Sequence, residues 1–280
     1  MVAGLTQDPV GNMIAGRIAK SLIRIRKQLM LKLTPTYPVP DRMPNGLQWT
    51  EEGLYVMDQF TDLIYVLGDR GKVIRLLPNV TENGSGITVG GGYIWTGSNG
   101  RTVSRPFRST DTHLGWILKL DIKTGELVDR YRTPDGGGIH GVEWEPETGL
   151  IWVTAFNPKA LILCDPEKNF KVVRKFQVEL PRLHGLAIDG DGIWCAHTGV
   201  KIIVKYDRKT GKEMDRITFP PDGPAPHGLS IKDGVLWYCD ANFPDANRAA
   251  PEIGMIVRSS TAASGRTGAR PRSKATAGRS

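Results

Sequence analysis

Only three cysteines, Cys164, Cys195 and Cys239, occur in the 280 residues, with no C-x-x-C pair. A zinc ribbon and a disulfide framework are both disfavoured by that count and spacing. Each cysteine sits in an apolar run, where a thiol acts as a small hydrophobe, so a reducing, cytoplasmic setting is expected. The chain also lacks a run of about 18 apolar residues, which argues against a membrane span. The N-terminus has no uninterrupted apolar segment of the secretory kind. There is no Walker loop, no Rossmann strand–glycine loop–helix fingerprint, no nucleophile elbow and no H-E-x-x-H, so nucleotide-binding and the common hydrolase classes are disfavoured.

Acidic residues are scarce where basic ones collect. Residues 1–40 and 259–280 carry +5 each, so the total of +8 leaves a net of −2 over residues 41–258. The body of the chain is close to neutral, and no sequence-specific nucleic-acid role is indicated. Weak contact with a membrane surface or a polyanion would have to run through the basic termini. Within residues 12–28, Met13, Ile14, Ile18, Leu22 and Ile25 alternate with Arg17, Lys20, Arg24, Arg26 and Lys27 in an amphipathic helical pattern. Residues 1–28 are therefore expected to form a basic helical extension, and the Ser/Ala/Gly/Arg-rich residues 259–280 a disordered tail.

What the chain has in quantity is glycine (33), proline (19) and a repeat. Ile139-His140-Gly141-Val142, Leu183-His184-Gly185-Leu186 and Pro226-His227-Gly228-Leu229 recur at intervals of 44 and 43 residues. Each opens a short apolar run, crosses a turn and enters a second run centred on Trp152, Trp194 or Trp237. Two earlier units align with them, at Pro44-Asn45-Gly46-Leu47 and Gly84-Ser85-Gly86-Ile87. Units of 40 to 50 residues made of short strands indicate an all-β fold, a β-propeller of four-stranded antiparallel blades. Five repeats are evident, and a sixth is admitted if one unit is cryptic or two chains combine. The fifth unit offers only three strands. An N-terminal strand at residues 29–34 is expected to supply the fourth and close the ring, giving a propeller over 29–258. Trp95, Trp152, Trp194 and Trp237 read as core fillers.

Two rings of positions open on one mouth of such a propeller. The residue before each glycine gives Asn45, Ser85, His140, His184 and His227; the end of each second strand gives Asp58, Ser98, Ala155, His197 and Asp240. Imidazoles and carboxylates converging from separate blades are what a divalent metal needs, and an imidazole beside it can act as general base. A histidine at such a place can also simply lock the ring by bonding a neighbouring carbonyl. An insertion, Asn99 to Gly115, lengthens the second unit's mouth loop and carries Arg101, Arg105, Arg108, Asp111 and His113. It reads either as a lid facing an anionic substrate or as a solvated loop. The fifth unit has a comparable loop, 241–253, with Asn242, Asp245, Asn247 and Glu252.

Ala225-Pro226-His227-Gly228-Leu229, followed by Asp233-Gly234-Val235-Leu236-Trp237-Tyr238-Cys239-Asp240, resembles the repeat of streptogramin B (virginiamycin B) lyases. More broadly it is similar to the NHL and SMP-30-like propellers, whose blades usually number six or seven. The resemblance covers residues 44–258 as a repeat style. It implies His184 as a substrate contact, His227 as the base, and Asp240 as one acid of a Mg²⁺ site. Ala225 stands where those relatives place a second metal carboxylate. The three histidines are also similar to the set in the zinc-binding propeller lyase of peptide amidation.

The expected function is a metal-assisted lyase or hydrolase acting on a small molecule at the mouth, with His227 and His184 catalytic. His140, His184, His227 and Asp240 are the expected metal ligands; with one carboxylate absent, the set favours Zn²⁺ over Mg²⁺. Asn45, Asp58, His197, Arg108 and His113 are the expected substrate contacts, in a monomer. The alternative is a non-catalytic propeller, a binding or scaffold module for a peptide or small ligand.

Overall fold

Each sequence unit folds as four antiparallel strands because its apolar runs are four to eight residues long and are separated by turn-forming residues. The computed structural model describes residues 30–134, 138–156, 159–243 and 250–259. The expected helix at 12–28, the tail beyond 259, and Asp245 and Asn247 lie outside those residues.

Strand β1 (Met30–Tyr37) precedes a first blade of β2 (Pro44–Trp49), β3 (Leu54–Asp58), β4 (Leu63–Leu67) and β5 (Val73–Leu77). The second blade is β6 (Gly84–Gly90), β7 (Tyr93–Ser98), β8 (Trp116–Asp121) and β9 (Leu127–Arg132). The third is β10 (Ile139–Glu145), β11 (Leu150–Phe156), β12 (Lys159–Asp165) and β13 (Lys171–Gln177). The fourth is β14 (Leu183–Asp189), β15 (Gly192–His197), β16 (Ile202–Asp207) and β17 (Glu213–Thr218). The fifth holds β18 (Leu229–Lys232), β19 (Val235–Asp240) and β20 (Glu252–Ser259), and β1 completes it in the order β1-β20-β19-β18.

The inner strands β2, β6, β10, β14 and β18 contact one another in sequence and then back to β2, so five blades close the ring. The expected N-terminal closing strand is present and runs to Tyr37. Its last ring wedges between Trp49 of the first blade and Trp237 of the fifth, with centroids 5.9 and 5.3 Å away. Contacts of that kind contribute about 0.5–1.5 kcal/mol each beyond the area they bury. The four strand-two tryptophans are core residues as expected, none more than 6% exposed. The turns Asp121–Gly125 and Asp207–Gly211 are built alike: an aspartate accepts from two backbone N–H groups, and a glycine at φ 77° or 72° closes the hairpin.

Two features of the inner strands position the mouth. A Cβ on Gly86 would lie 2.6 Å from the His140 carbonyl oxygen, and one on Gly185 would lie 2.5 Å from that of His227. The same holds at Gly46 against Ser85 O, at 2.6 Å. Only glycine lets adjacent blades approach that closely. The ring of glycines and the residues after them line a narrow axial channel. The register of β2, β6, β10 and β14 against their partners also slips by one residue at the glycine step, a β-bulge in each of the first four blades.

Below the glycines, side chains two residues on tie blade to blade. Ser230 Oγ accepts from Trp49 N–H (2.8 Å), Thr88 Oγ1 from Trp144 N–H (3.0 Å) and Glu143 Oε1 from Ile188 N–H (3.1 Å). Burial pushes the Glu143 carboxyl up to about 8, with the single backbone bond opposing it only in part. The folded state therefore holds a proton that the unfolded chain releases above its ordinary value of 4.5. The resulting stability is full below about pH 4.5 and is lost as pH rises through about 8, a change on the order of a few kcal/mol. Chemical denaturation of the wild type should show this decline between those limits, and Glu143→Gln should flatten it; an unchanged slope in the variant would contradict the assignment.

Candidate active site at the channel mouth

The residues before the five glycines, Asn45, Ser85, His140, His184 and His227, follow one another from blade to blade as a contiguous polar series beside the glycine constriction. Asn45 donates to Gln59, and Gln59 Nε2 donates to Asn83 Oδ1 at 2.6 Å. Ser85 Oγ stands 3.4 Å from Asn45 Oδ1 and 3.1 Å from His140 Nδ1. From there the ring continues as packed imidazoles: His140 to His184 at 4.3 Å between centroids and His184 to His227 at 4.7 Å, both edge to face. Phe156, at the end of β11, stacks on His140 at 3.8 Å. The three expected histidines are thus brought together along one arc.

All three are deeply buried, and all three are held neutral at pH 7. Burial is the main cause in each case. It takes His140 down to about 3, with smaller contributions from His227 and the Arg182 charge. His184 is lowered well below 6.5 by burial, then by its two imidazole neighbours and Arg182. For His227 burial also prevails, although Asp240 and the carbonyls of Ala225 and Phe243 pull the other way. His227 Nδ1 donates to the Ala225 carbonyl at 2.8 Å, which fixes its ring. In contrast, His140 Nε2 and His184 Nδ1 are buried without a hydrogen-bond partner among the described residues. A buried polar atom left unpaired costs about 1–3 kcal/mol. Two such atoms on neighbouring rings leave hydrogen-bonding capacity at one mouth for a water or another polar group.

The second ring does different work. Asp58 accepts from Met43 N–H (2.7 Å) and from the backbone and hydroxyl of Thr61 (2.9 Å each). Asp240 accepts from Ala225 N–H (3.1 Å) and Asn242 N–H (2.7 Å), and its nearer oxygen is 3.9 Å from His227 Nδ1. Ser98 donates to Glu82 O, and His197 Nδ1 lies 3.2 Å from Pro181 O while its Nε2 lies 3.0 Å from the Tyr206 hydroxyl. Each of these four side chains ties the end of the second strand to the segment that leads into the inner strand of the same blade. Ala155 has no polar group with which to do so. His197, with both ring nitrogens engaged and burial pushing it down to about 4, is a bracket inside the fourth blade rather than part of the imidazole arc.

The insertion is latched onto its neighbours. Arg105 bonds Asp62 at 2.7 Å and both oxygens of Asp111 at 2.8 Å, with 7%, 0% and 1% of the three side chains exposed. That pairing lowers Asp111 to about 2. Arg108 donates to the carbonyls of Thr61 (2.6 Å) and Asn79 (3.3 Å), and His113 Nδ1 meets Glu82 at 3.1 Å. Arg105, Arg108 and His113 therefore hold the loop to the first two blades, and the loop is neither a loosely solvated segment nor one that presents these groups to the axis.

The residue missed in the sequence is Arg182, just ahead of β14. It adopts a left-handed φ of 50°, its carbonyl accepts from Thr198 N–H at 3.2 Å, and its stem lies against Gly199. Its guanidinium has no acidic or hydrogen-bonding partner among the described residues, and its charge reaches all three imidazoles. The signal was there: the aligned units carry Met43, Asn83, Gly138 and Ala225 at this place, and only the fourth carries a charge.

The three imidazoles stand edge to face, and each Asp240 oxygen accepts a backbone N–H group. Among the described residues no group of three or more His, Cys, Asp or Glu side chains is placed to hold an ion.

Neither a protein-family model nor a curated protein sequence matches the chain. Among solved structures, the glutaminyl cyclase of Myxococcus xanthus is similar with a TM-score of 0.61 at 12% identity, over 81% of this chain and 96% of that one. A streptogramin B lyase gives 0.47 at 20% identity over 82% and 72%, and the Staphylococcus aureus virginiamycin B lyase 0.46 at 18% over 75% and 67%. At these identities the likeness is one of fold. The chain is a five-bladed β-propeller. No helix among the described residues is long and apolar enough to cross a membrane.

The latch gives a direct test. Arg105→Ala leaves Asp62 buried beside an empty place, and should cost about 3–5 kcal/mol in urea denaturation and open the 99–115 loop to proteolysis. A loss below about 1 kcal/mol with unchanged cleavage would show that the loop is held elsewhere.

Proposed function

We propose that this propeller is an enzyme that acts on a small molecule at the channel mouth by abstracting a proton, as a lyase. One observation carries the reading: His140 Nε2 and His184 Nδ1 are buried, neutral and unpaired on adjacent rings. His184, at the centre of the arc, is the base. It takes a proton from a carbon of the substrate; the C–H electron pair becomes the new double bond; the leaving group departs from the adjacent carbon with its own pair. His140, anchored through Nδ1 at Ser85, and His227, anchored at Ala225, hold the base in place and wall it from water. The resemblance in sequence assigned the base to His227 and substrate contact to His184; the pairing of His227 Nδ1 favours the opposite division.

A hydrolase is less well supported. Ser85 lies 3.1 Å from His140 Nδ1 but is fully buried, and no carboxylate orients His140 from its other nitrogen. Burial raises the thiols of Cys195 and Cys239, which keeps them protonated. No step is drawn through a divalent ion.

The test is untargeted mass spectrometry of a metabolite extract incubated with wild type and with His184→Gln. At least one component should be consumed by the wild type, and at least about a hundredfold more slowly by the variant at equal melting temperature. Because the neutral ring is the active form and its pKa is depressed, turnover should stay level down to about pH 6, and dialysis against EDTA should leave it unchanged. Equal consumption by the variant removes the base from His184. No consumption by the wild type favours the binding-module alternative, and loss on EDTA treatment restores the metal.

A further inference from the structure

The insertion between β7 and β8 sorts its side chains against the usual rule, with its acids inside and its apolar groups outside. Asp62, Glu82 and Asp111, the carboxylates that hold it, are buried in their contacts with Arg105 and His113. Val103, Phe107 and Leu114 are 79%, 53% and 43% exposed. The bonds of Arg105 and Arg108 pin the loop while these three side chains stand in solvent. Two cations lie on the same surface. Arg101 sits over the Phe107 ring at 5.1 Å and Arg42 over the Phe60 ring at 4.6 Å. The two pairs are joined, because Arg108, next to Phe107, donates to the carbonyl of Thr61, next to Phe60, at 2.6 Å. His113 stands edge-on to Phe107 at 4.7 Å. Arg42 and Arg101 are exposed, and neither is in an ion pair among the described residues.

We infer that this surface, Phe60, Val103, Phe107 and Leu114 with Arg42 and Arg101, docks the propeller on an anionic lipid bilayer. The inference is independent of the chemistry at the imidazole arc. A specific protein interface takes roughly 800 Å² from each partner around a packed core. Here a few apolar side chains project, Val103 almost clear of the protein, and do so between cations. That combination suits the bilayer interface, where apolar groups enter about 5–10 Å and flanking arginines meet the headgroup phosphates while their stems lie along apolar surface. The acids nearby do not oppose it. Asp62, Glu82 and Asp111 are buried, and Asp41 accepts from the Tyr65 hydroxyl (3.0 Å) and from Arg42 N–H (2.8 Å). The two ends of the blades differ in the same sense. Val200 and Phe243 are exposed on loops at this end. The hairpins at the other end carry no exposed large hydrophobic among the described residues, and they expose Glu51, Glu52, Glu126, Glu147 and Glu167. Docking would therefore bring the mouth end of the propeller to the lipid.

Sedimentation of the full chain with vesicles at low salt tests this, with phosphatidylcholine alone and with phosphatidylcholine containing about one quarter phosphatidylglycerol. The mixed vesicles should bind at least about tenfold more tightly, and the affinity should fall as salt is added. Val103→Ser together with Phe107→Ser should weaken binding to them at least about tenfold at an unchanged melting temperature. Arg42→Gln together with Arg101→Gln should weaken it at least about fivefold. Val172→Ser with Val173→Ser, exposed positions on the outer strand β13, should leave binding as it was, and so should His184→Gln. Equal binding to both kinds of vesicle, or binding to neither, overturns the proposal. So does undiminished binding when Val103 and Phe107 are both replaced, which would assign the contact to the basic residues of the termini. A wild-type dimer without lipid that the same double replacement turns into a monomer would give the surface to a second copy of the chain, and overturns it equally.

Discussion

The close approach of neighbouring inner strands at the glycine step is the constraint on which the rest of the molecule depends. With five blades the ring is tight, and the carbonyl of the residue before one glycine stands where the next blade's Cβ would be. In the first four blades the inner strand carries a bulge at that step. Asn45, Ser85, His140, His184 and His227 therefore share one ring because of how the blades pack. What differs from blade to blade is their chemistry.

That difference divides the mouth. On one side Asn45 and Ser85 are tied to Gln59, Asn83 and His140 by a chain of hydrogen bonds, so the polar atoms there are satisfied. On the other side imidazoles lie against imidazoles, and two nitrogens have nothing to bond. A ring made only to lock the blades would satisfy all five positions. Burial keeps these rings neutral, and Arg182 reinforces the effect. The arc is accordingly a set of buried, neutral lone pairs and N–H donors, which suits proton transfer.

The repeat made the architecture legible. The spacing of the His-Gly segments, the strand-two tryptophans and the missing fourth strand of the last unit together indicated five evident blades, with a sixth admitted, and an N-terminal closing strand. The ring of pre-glycine residues was legible for the same reason, since equivalent positions in a propeller share an end. What could not be read was orientation. Asp58, Ser98, His197 and Asp240 sit at equivalent places too, but their side chains turn back to the backbone of their own blade. Arg105 and Arg108 had the composition of an anion-binding lid, yet Asp62, Asp111 and two carbonyls already hold them. Arg182 was overlooked because it belongs to no repeated motif.

The central claim is that the arc consists of buried neutral imidazoles with nitrogens available to a substrate. Nitrogen-15 correlation spectra of the histidine rings, followed from about pH 8 to about pH 5, test it most directly. His140 and His184 should keep the shifts of neutral rings throughout, each with one nitrogen that shows no hydrogen-bond partner in the free protein. Titration of both rings near the 6.5 of an ordinary imidazole would contradict the account, because it would place them in water.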